Sequence, residues 1–244
     1  GNLSAVSGGA ITQTGALTVS GTSNFNSTGT DTNITINTAT NAFTGAVTVT
    51  STGTSGDVSI DNGTTALSLS GTVNGALTVV NGAAISDSGT LTVSGASSFT
   101  IDAGSNNITL DTAELTGAIG VSTTGTSNFT LDNTNTAVNL GTVGVTGNLS
   151  VTTGGAITDS GVLTVTGTSS LTTDVTGQAI TLDSVNAMTG AVSVSHIGAA
   201  DVSIDNGTTA LDLGTITVGQ NFEAISGGGI TDSGVITVAG TSLF

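Results

Sequence analysis

The sequence has no Cys, Pro, Trp, Tyr, Lys or Arg, and each absence removes a class of answer. Without cysteine there are no disulfides, no thiolate metal ligands and no thiol nucleophile, and the redox compartment leaves no trace. Average usage of roughly 5% Pro would give about a dozen prolines in 244 residues. Their absence fits a backbone whose N–H groups are committed to ladders, because proline cannot donate to a neighbouring strand. Without Lys or Arg the chain lacks the side chains that neutralise phosphate backbones, which excludes nucleic acid as a partner. Anionic membrane surfaces are disfavoured for the same reason. Sixteen Asp plus Glu against a single His leave a formal charge of −16, so every carboxylate must be solvated, hydrogen-bonded or matched by an external cation. No apolar run approaches the roughly 18 residues of a membrane span, which excludes membrane insertion. The chain starts at Gly1 with no basic or apolar leader, so any signal peptide is expected outside it.

What the sequence does have is repetition. The stretch "GGAITDSGVLTVTGTSSL" at Gly154 returns, respelled, at Gly8, Gly82 and Gly227. These four starts define a period of about 73 residues. Other landmarks keep this phase: "VSIDNGTTALSL" from Val58 returns from Phe129 and from Val202. "GNLSAVSGGAI" at Gly1 matches "GNLSVTTGGAI" at Gly147, two periods later. Residues 1–244 therefore read as one continuous segment of about 3.3 such repeats. The segment is expected to be a fragment of a longer chain or a unit of an end-to-end polymer.

Inside a repeat the signal has period 2. In "VLTVT", Leu163 and Val165 alternate with Thr, and the same alternation recurs around Ile180, Val192, Val202 and Leu211. Apolar–polar alternation bounded by Gly, Asn, Asp and Ser predicts short strands joined by tight turns. No window of a dozen residues carries a helical stripe, so no helix is expected. "DNG" at Asp61 and Asp205 is turn chemistry, since Asn and Gly tolerate positive φ. Short strands nested in a long repeat predict an all-β, right-handed parallel β-helix, a β-solenoid rod, with a stack of small sandwiches as the alternative. The period allows three coils of about 24 residues or four of about 18 residues. Phase-matched apolar residues are expected to form interior columns: Phe25, Phe99, Leu171 and Phe244 in one, and Phe43, Leu115 and Met188 in another.

The runs "GNLSVTTGGAITDSGVLTVTGTSSLT" from Gly147, "AITLDSVNAMTGAVSVS" from Ala179 and "DVSIDNGTTALDLGTITV" from Asp201 resemble the tandem arrays of giant bacterial exoproteins of the filamentous-haemagglutinin-like kind. That resemblance covers the whole chain and rests on repeat style. It implies a β-helical shaft, secretion across a Gram-negative outer membrane, often by a two-partner system, and roles in adhesion, aggregation or biofilm.

No catalytic, cofactor-binding or metal site is expected from the sequence. Acid–base chemistry on a β-helix face would use paired carboxylates, but such lyase sites rely on a basic residue that this chain lacks, and its acids recur with the structural period. His196 has Ser51 and Thr123 as phase equivalents, which predicts a solvent-facing position. Asp87, Asp159 and Asp232 share one phase, with Gln13 in the first copy; Asp61, Asp132 and Asp205 share a second, and Asp111 and Asp183 a third. Their simplest role is to cap their own turns; bridging Ca²⁺ is the sharper alternative. Asn-x-Ser/Thr triplets at Asn33, Asn62 and Asn206 are coincidences of a Thr-rich chain. The expected function is structural, the shaft of a secreted adhesin or extracellular fibre. Its expected partners are copies of itself, a surface glycan or a host receptor. The alternative is a ligand- or ice-binding face rich in Thr, Asn and Asp.

Overall fold

The computed structural model describes residues 1–244, and every regular element in it is a β-strand. The chain winds as an all-β parallel solenoid of about 12 turns. Two 14-stranded parallel sheets face each other across one apolar interior, and a small extra pair joins Thr18–Val19 to Ala42–Phe43. Consecutive strands along the chain pass alternately to the two sheets, so each strand pairs with the one a full turn away. Leu3–Ser7 lies on Ser23–Thr30, for example, and Leu77–Asn81 lies on Ser97–Ile101. This exchanges all inter-strand hydrogen bonds between turns, which is the economy a proline-free backbone permits.

Turn length varies: a short turn carries the chain from Leu67 to its partner Ile85, and a long one from Ser23 to its partner Val47. Neither expected coil size divides the repeat, for a simple reason. The second repeat lays down seven strand segments, which start at Leu77, Ile85, Ser97, Ile108, Ala118, Phe129 and Val138, before Leu149 begins the next. Seven is odd and the sheets are two, so one repeat makes three and a half turns, whose mean length falls between the two expected coil sizes. The same sequence phase therefore emerges on opposite sheets in successive repeats. Ile11 and Ile157 pair in one sheet, with Ile34 and Ile180; Ile85 and Ile230 pair in the other, with Ile108 and Leu211.

The expected interior columns fail for that reason. Phe25 stacks between Ala5 and Val49 in the first sheet, whereas its phase mate Phe99 stacks between Val79 and Val121 in the second. Leu171 returns to the first sheet, between Val151 and Val194. Phe43, Leu115 and Met188 likewise sit on Val19, Val93 and Val165 and not on one another. Their burial is as expected: all six side chains are in the interior, and Phe25 meets Phe43 edge-on at 5.7 Å. Phe244 differs, being 63% exposed in the last turn. One core of 51 apolar side chains runs through the rod.

Glycines set the corners by close approach. Gly75 donates to the Gly56 carbonyl one turn back and Gly95 to Gly75; Gly167 donates to Gly147. A Cβ on Gly95 would lie 2.5 Å from the Gly75 oxygen. At these corners backbone meets backbone, and nothing larger than glycine fits.

Candidate functional site

The most ordered polar chemistry lies in the interior. Asn62, Asn133 and Asn206 hold one phase and are 0% exposed. Each carboxamide accepts the N–H of a strand residue one turn earlier, Phe43, Leu115 and Met188 respectively, at 2.7 to 2.8 Å. Each amide nitrogen returns a bond to the carbonyl of that same residue at 3.0 to 3.1 Å. It also donates to carbonyls of its own turn, as Asn133 does to Thr136 and Ala137. The side chain thus imitates the backbone of a missing strand residue. The "DNG" turn works differently from the expectation. The glycine, not the asparagine, takes the left-handed backbone, at φ 59° in Gly63 and 57° in Gly207, and Thr134 occupies the same place at 40°. A signal for the buried bracket was present: the turn glycine is replaced in the second copy, while the asparagine persists in every copy.

A second bracket joins the kinks of the long segments. Asn41 accepts the Leu17 N–H and Asn186 the Leu163 N–H. The second repeat is shorter here, and the Thr112 carbonyl takes the Leu91 N–H instead.

Two of the three acid phases have distinct capping roles, while the carboxylates of the third, Asp111 and Asp183, cap no turn. Asp61, Asp132 and Asp205 accept the N–H two residues on, from Gly63, Thr134 and Gly207, at 2.8 to 3.0 Å. These are caps of their own turns, as expected. Asp87 and Asp159 instead cap the next turn of the solenoid. Asp87 accepts from the backbones of Asp111 and Thr112 and from the Thr112 hydroxyl. Asp159 accepts from the backbones of Asp183 and Ser184 and from the Asn186 amide. Gln13 serves the same place with its amide, accepting from Thr38 N and Asn41, so the position requires an acceptor and not a charge. Asp232 is exposed in the last turn.

Two carboxyls are raised and one is lowered. A hydrogen bond to the Asp87 carboxyl, then the Asp87 charge, burial and the charge of Asp132, raise the Asp111 carboxyl above its ordinary range. Burial, opposed by the Gly63 N–H and reinforced by the Asp102 charge, raises Asp61. Asp31 goes the other way, held low by the N–H groups of Ser55 and Thr54. No three His, Asp or Glu side chains converge as metal ligands would.

His196 is not solvent-facing. It is 5% exposed, and Ser51 and Thr123, its phase mates, are buried as well. Its Nε2 accepts the Ala200 N–H at 3.1 Å, so the proton of the neutral ring sits on Nδ1, 3.2 Å from the Thr173 hydroxyl. Ser51 does equivalent work, closing its turn through the Gly56 carbonyl at 2.6 Å. The interchange of Ser, Thr and His reflects a shared buried hydrogen-bonding task, which sequence alone does not distinguish from exposure.

The sequon triplets have a structural origin. Asn33 accepts the Asp57 N–H of the next turn, and Asn107, Asn128 and Asn148 continue the pattern on the other sheet. Corner Asn followed by an inward apolar and an outward Ser or Thr reads as a glycosylation triplet. Asn62 and Asn206 are wholly buried.

Outside, the strands carry hydroxyls in register. Thr152, Thr172, Ser195, Thr217 and Thr237 form one column of the first sheet, beside Thr130, Ser150, Ser170 and Ser193. The three surface hollows, of about 330 to 370 Å³, are open grooves. The most polar of them is lined by Gly53, Thr54, Asn74, Ser94 and Gly95. Inside, one set of hydroxyls goes unused: Ser23, Ser97 and Ser169, at one phase, are buried without a partner.

No curated protein and no solved structure matches the chain. Residues 1–50, 55–122, 126–195 and 199–244 each match one family of repeats. These four units tile nearly the whole solenoid, and the chain belongs to the family described as repeats of unknown function (DUF5649).

Proposed function

We propose that the chain is a shaft segment of a secreted bacterial surface fibre or adhesin, of the filamentous-haemagglutinin-like kind that its repeats resemble. The observation that carries this reading is the uninterrupted stack of about 12 parallel turns over one core. Each turn buries the apolar edge of the turn below and satisfies its backbone, so length is gained by adding near-identical units. Stacked about 4.8 Å apart, the turns make a rod of roughly 55 Å. The polar groups most consistently placed, the Asn brackets and the Asp caps, are spent on joining turns. In this reading the chain works without catalysis or a bound cofactor. Its partners are copies of itself or the rest of a longer fibre, with a surface glycan or receptor met elsewhere. The net charge of −16 opposes lateral clumping over about 8 Å at physiological salt. The place of action is the cell exterior. Electron microscopy of the native material tests this reading: thin unbranched rods are expected, and isolated compact particles would refute it.

The in-register hydroxyl columns favour one second reading, a lateral face that orders water or a sugar lattice. Thermal hysteresis in a freezing assay would support it, and ordinary colligative freezing would remove its ice-binding form.

A further inference from the structure

We propose that the turn following His196 is a pH-sensitive latch, the one place where this rod opens on mild acidification. His196 ends the strand Val192–His196 and lies in register with Thr173 of the preceding turn. Its bonding is complete only for the neutral ring. Nδ1–H donates to Thr173 Oγ1, that hydroxyl donates onward to the Gln178 carbonyl, and Nε2 accepts the Ala200 N–H. The bond to Ala200 closes the loop 197–200, in which Gly198 holds φ 85° and Ile197 points to solvent while Ala200 is buried. A second proton can go only to Nε2. There the new N–H faces the Ala200 N–H, donor against donor, on a ring that is 5% exposed.

No charge on the surrounding elements compensates. Asp174, which follows the residue paired with His196 on the strand beneath, and Asp201, at the end of the latch, do not bond the ring. Asp201 accepts from Asn221 of the next turn. The strand above, Leu211–Val218, carries its only acid, Asp212, at the far end. The cation is therefore accommodated only when the loop swings out and the ring reaches water. Protonation turns Nε2 from acceptor to donor, so the bond that closes the loop belongs to the neutral ring alone and is absent from the cation. At the equivalent positions Ser51 closes its own turn through the Gly56 carbonyl and also takes the Asn74 N–H, while Thr123 holds Thr146 of the next turn; neither titrates, and both serve as internal controls.

Hydrogen exchange on the full chain between pH 7.5 and 5.5, corrected for intrinsic rates, tests the latch. The Ala200 amide is expected to lose at least tenfold protection at pH 5.5, while the amides of Asn74 and Thr146, held by Ser51 and Thr123, keep theirs. His196→Thr, which installs the second repeat's residue, should remove the pH dependence. Unchanged Ala200 protection at pH 5.5, equal loss at all three turns, or the same pH dependence in the variant would overturn the proposal.

Discussion

Replacing Asn133 with Ala tests whether the buried brackets hold the turns together. The carboxamide at 0% exposure is the partner of both the N–H and the carbonyl of Leu115, at 2.7 and 3.0 Å, and of the Thr136 carbonyl at 3.0 Å. Leu115 is itself fully buried, so no water replaces what is removed. Each stranded group costs about 1–3 kcal/mol. Two or three of them, with partial relaxation, give an expected loss of about 3–5 kcal/mol. Because turns interact only with their neighbours, the damage should be local first. The Leu115 amide should lose exchange protection before amides in the outer repeats do. Asn133→Asp should be at least as damaging, since it retains an acceptor but aims a carboxylate at three carbonyls. Denaturant unfolding and site-resolved hydrogen exchange supply the readouts, with exposed Asn135→Ala as a control expected within about 0.5 kcal/mol of the parent. A cost below about 1 kcal/mol with Leu115 still protected would refute the bracket reasoning.

Removing the unpartnered hydroxyls of Ser23, Ser97 and Ser169 by mutation to Ala should be neutral or stabilising by up to about 1 kcal/mol each; a loss above that in denaturant melts would mean that the hydroxyls have an unseen partner. Gly95→Ala should cost about 1–3 kcal/mol through backbone collision with Gly75, and a parent-like melting temperature would count against close packing at the corner. Asp111→Asn should raise the melting temperature at pH 7 and do little near pH 3. The Asp111 carboxyl is raised in the folded state, so its charged form opposes folding above the ordinary carboxylate range and stops doing so once protonated; equal effects at both pH values would refute this. Asp31, held low, has the opposite sign: its contribution is full above the ordinary Asp range and is lost as the pH falls below that range through the lowered folded-state one, so Asp31→Asn should flatten the acid limb of a stability profile. A chelator should leave the melting temperature unchanged, because Asp61, Asp87, Asp132, Asp159 and Asp205 already take N–H groups; a drop would establish structural Ca²⁺.

The strands were legible because their signal is local. Leu163 and Val165 alternate with Thr, and both are buried as that alternation requires. The Asp61, Asp132 and Asp205 turns were legible for the same reason, since acceptor and donor lie two residues apart. What escaped is set by parity and by partners a turn away. The repeat period identifies like positions but not which sheet they join, and Phe25 and Phe99 look like column mates until the seven segments are counted. The partner of Asp159 lies 24 residues on, and that of Asn133 18 residues back. Offsets of this kind follow from turn lengths that differ along the rod, as the Leu67–Ile85 and Ser23–Val47 pairings show. His196 escaped because substitution by Ser and Thr is equally compatible with exposure and with a buried hydrogen bond.

Parity also bears on what the repeats can be for. When one repeat makes three and a half turns, duplicating it places each new copy half a turn out of phase with the last. A substitution fixed at one sequence phase, such as a glycan-binding residue, then emerges alternately on opposite sides of the rod. Copies on one side are about 34 Å apart, seven turns at about 4.8 Å. A one-sided binding face would need a sequence period of two repeats, with adjacent repeats differing on their outer positions. The Val58 and Val202 runs, which lie on one sheet, agree at 11 of 12 positions, whereas the Phe129 run on the other sheet agrees with either at only five, so a two-repeat component is superimposed on the one-repeat period. The interior is indifferent to this alternation, because both sheets contribute equivalent strands to one core. Features that follow the one-repeat period preserve packing and are scattered around the axis, as the proposed shaft role requires, while features that recur only every second repeat stay on one side of the rod.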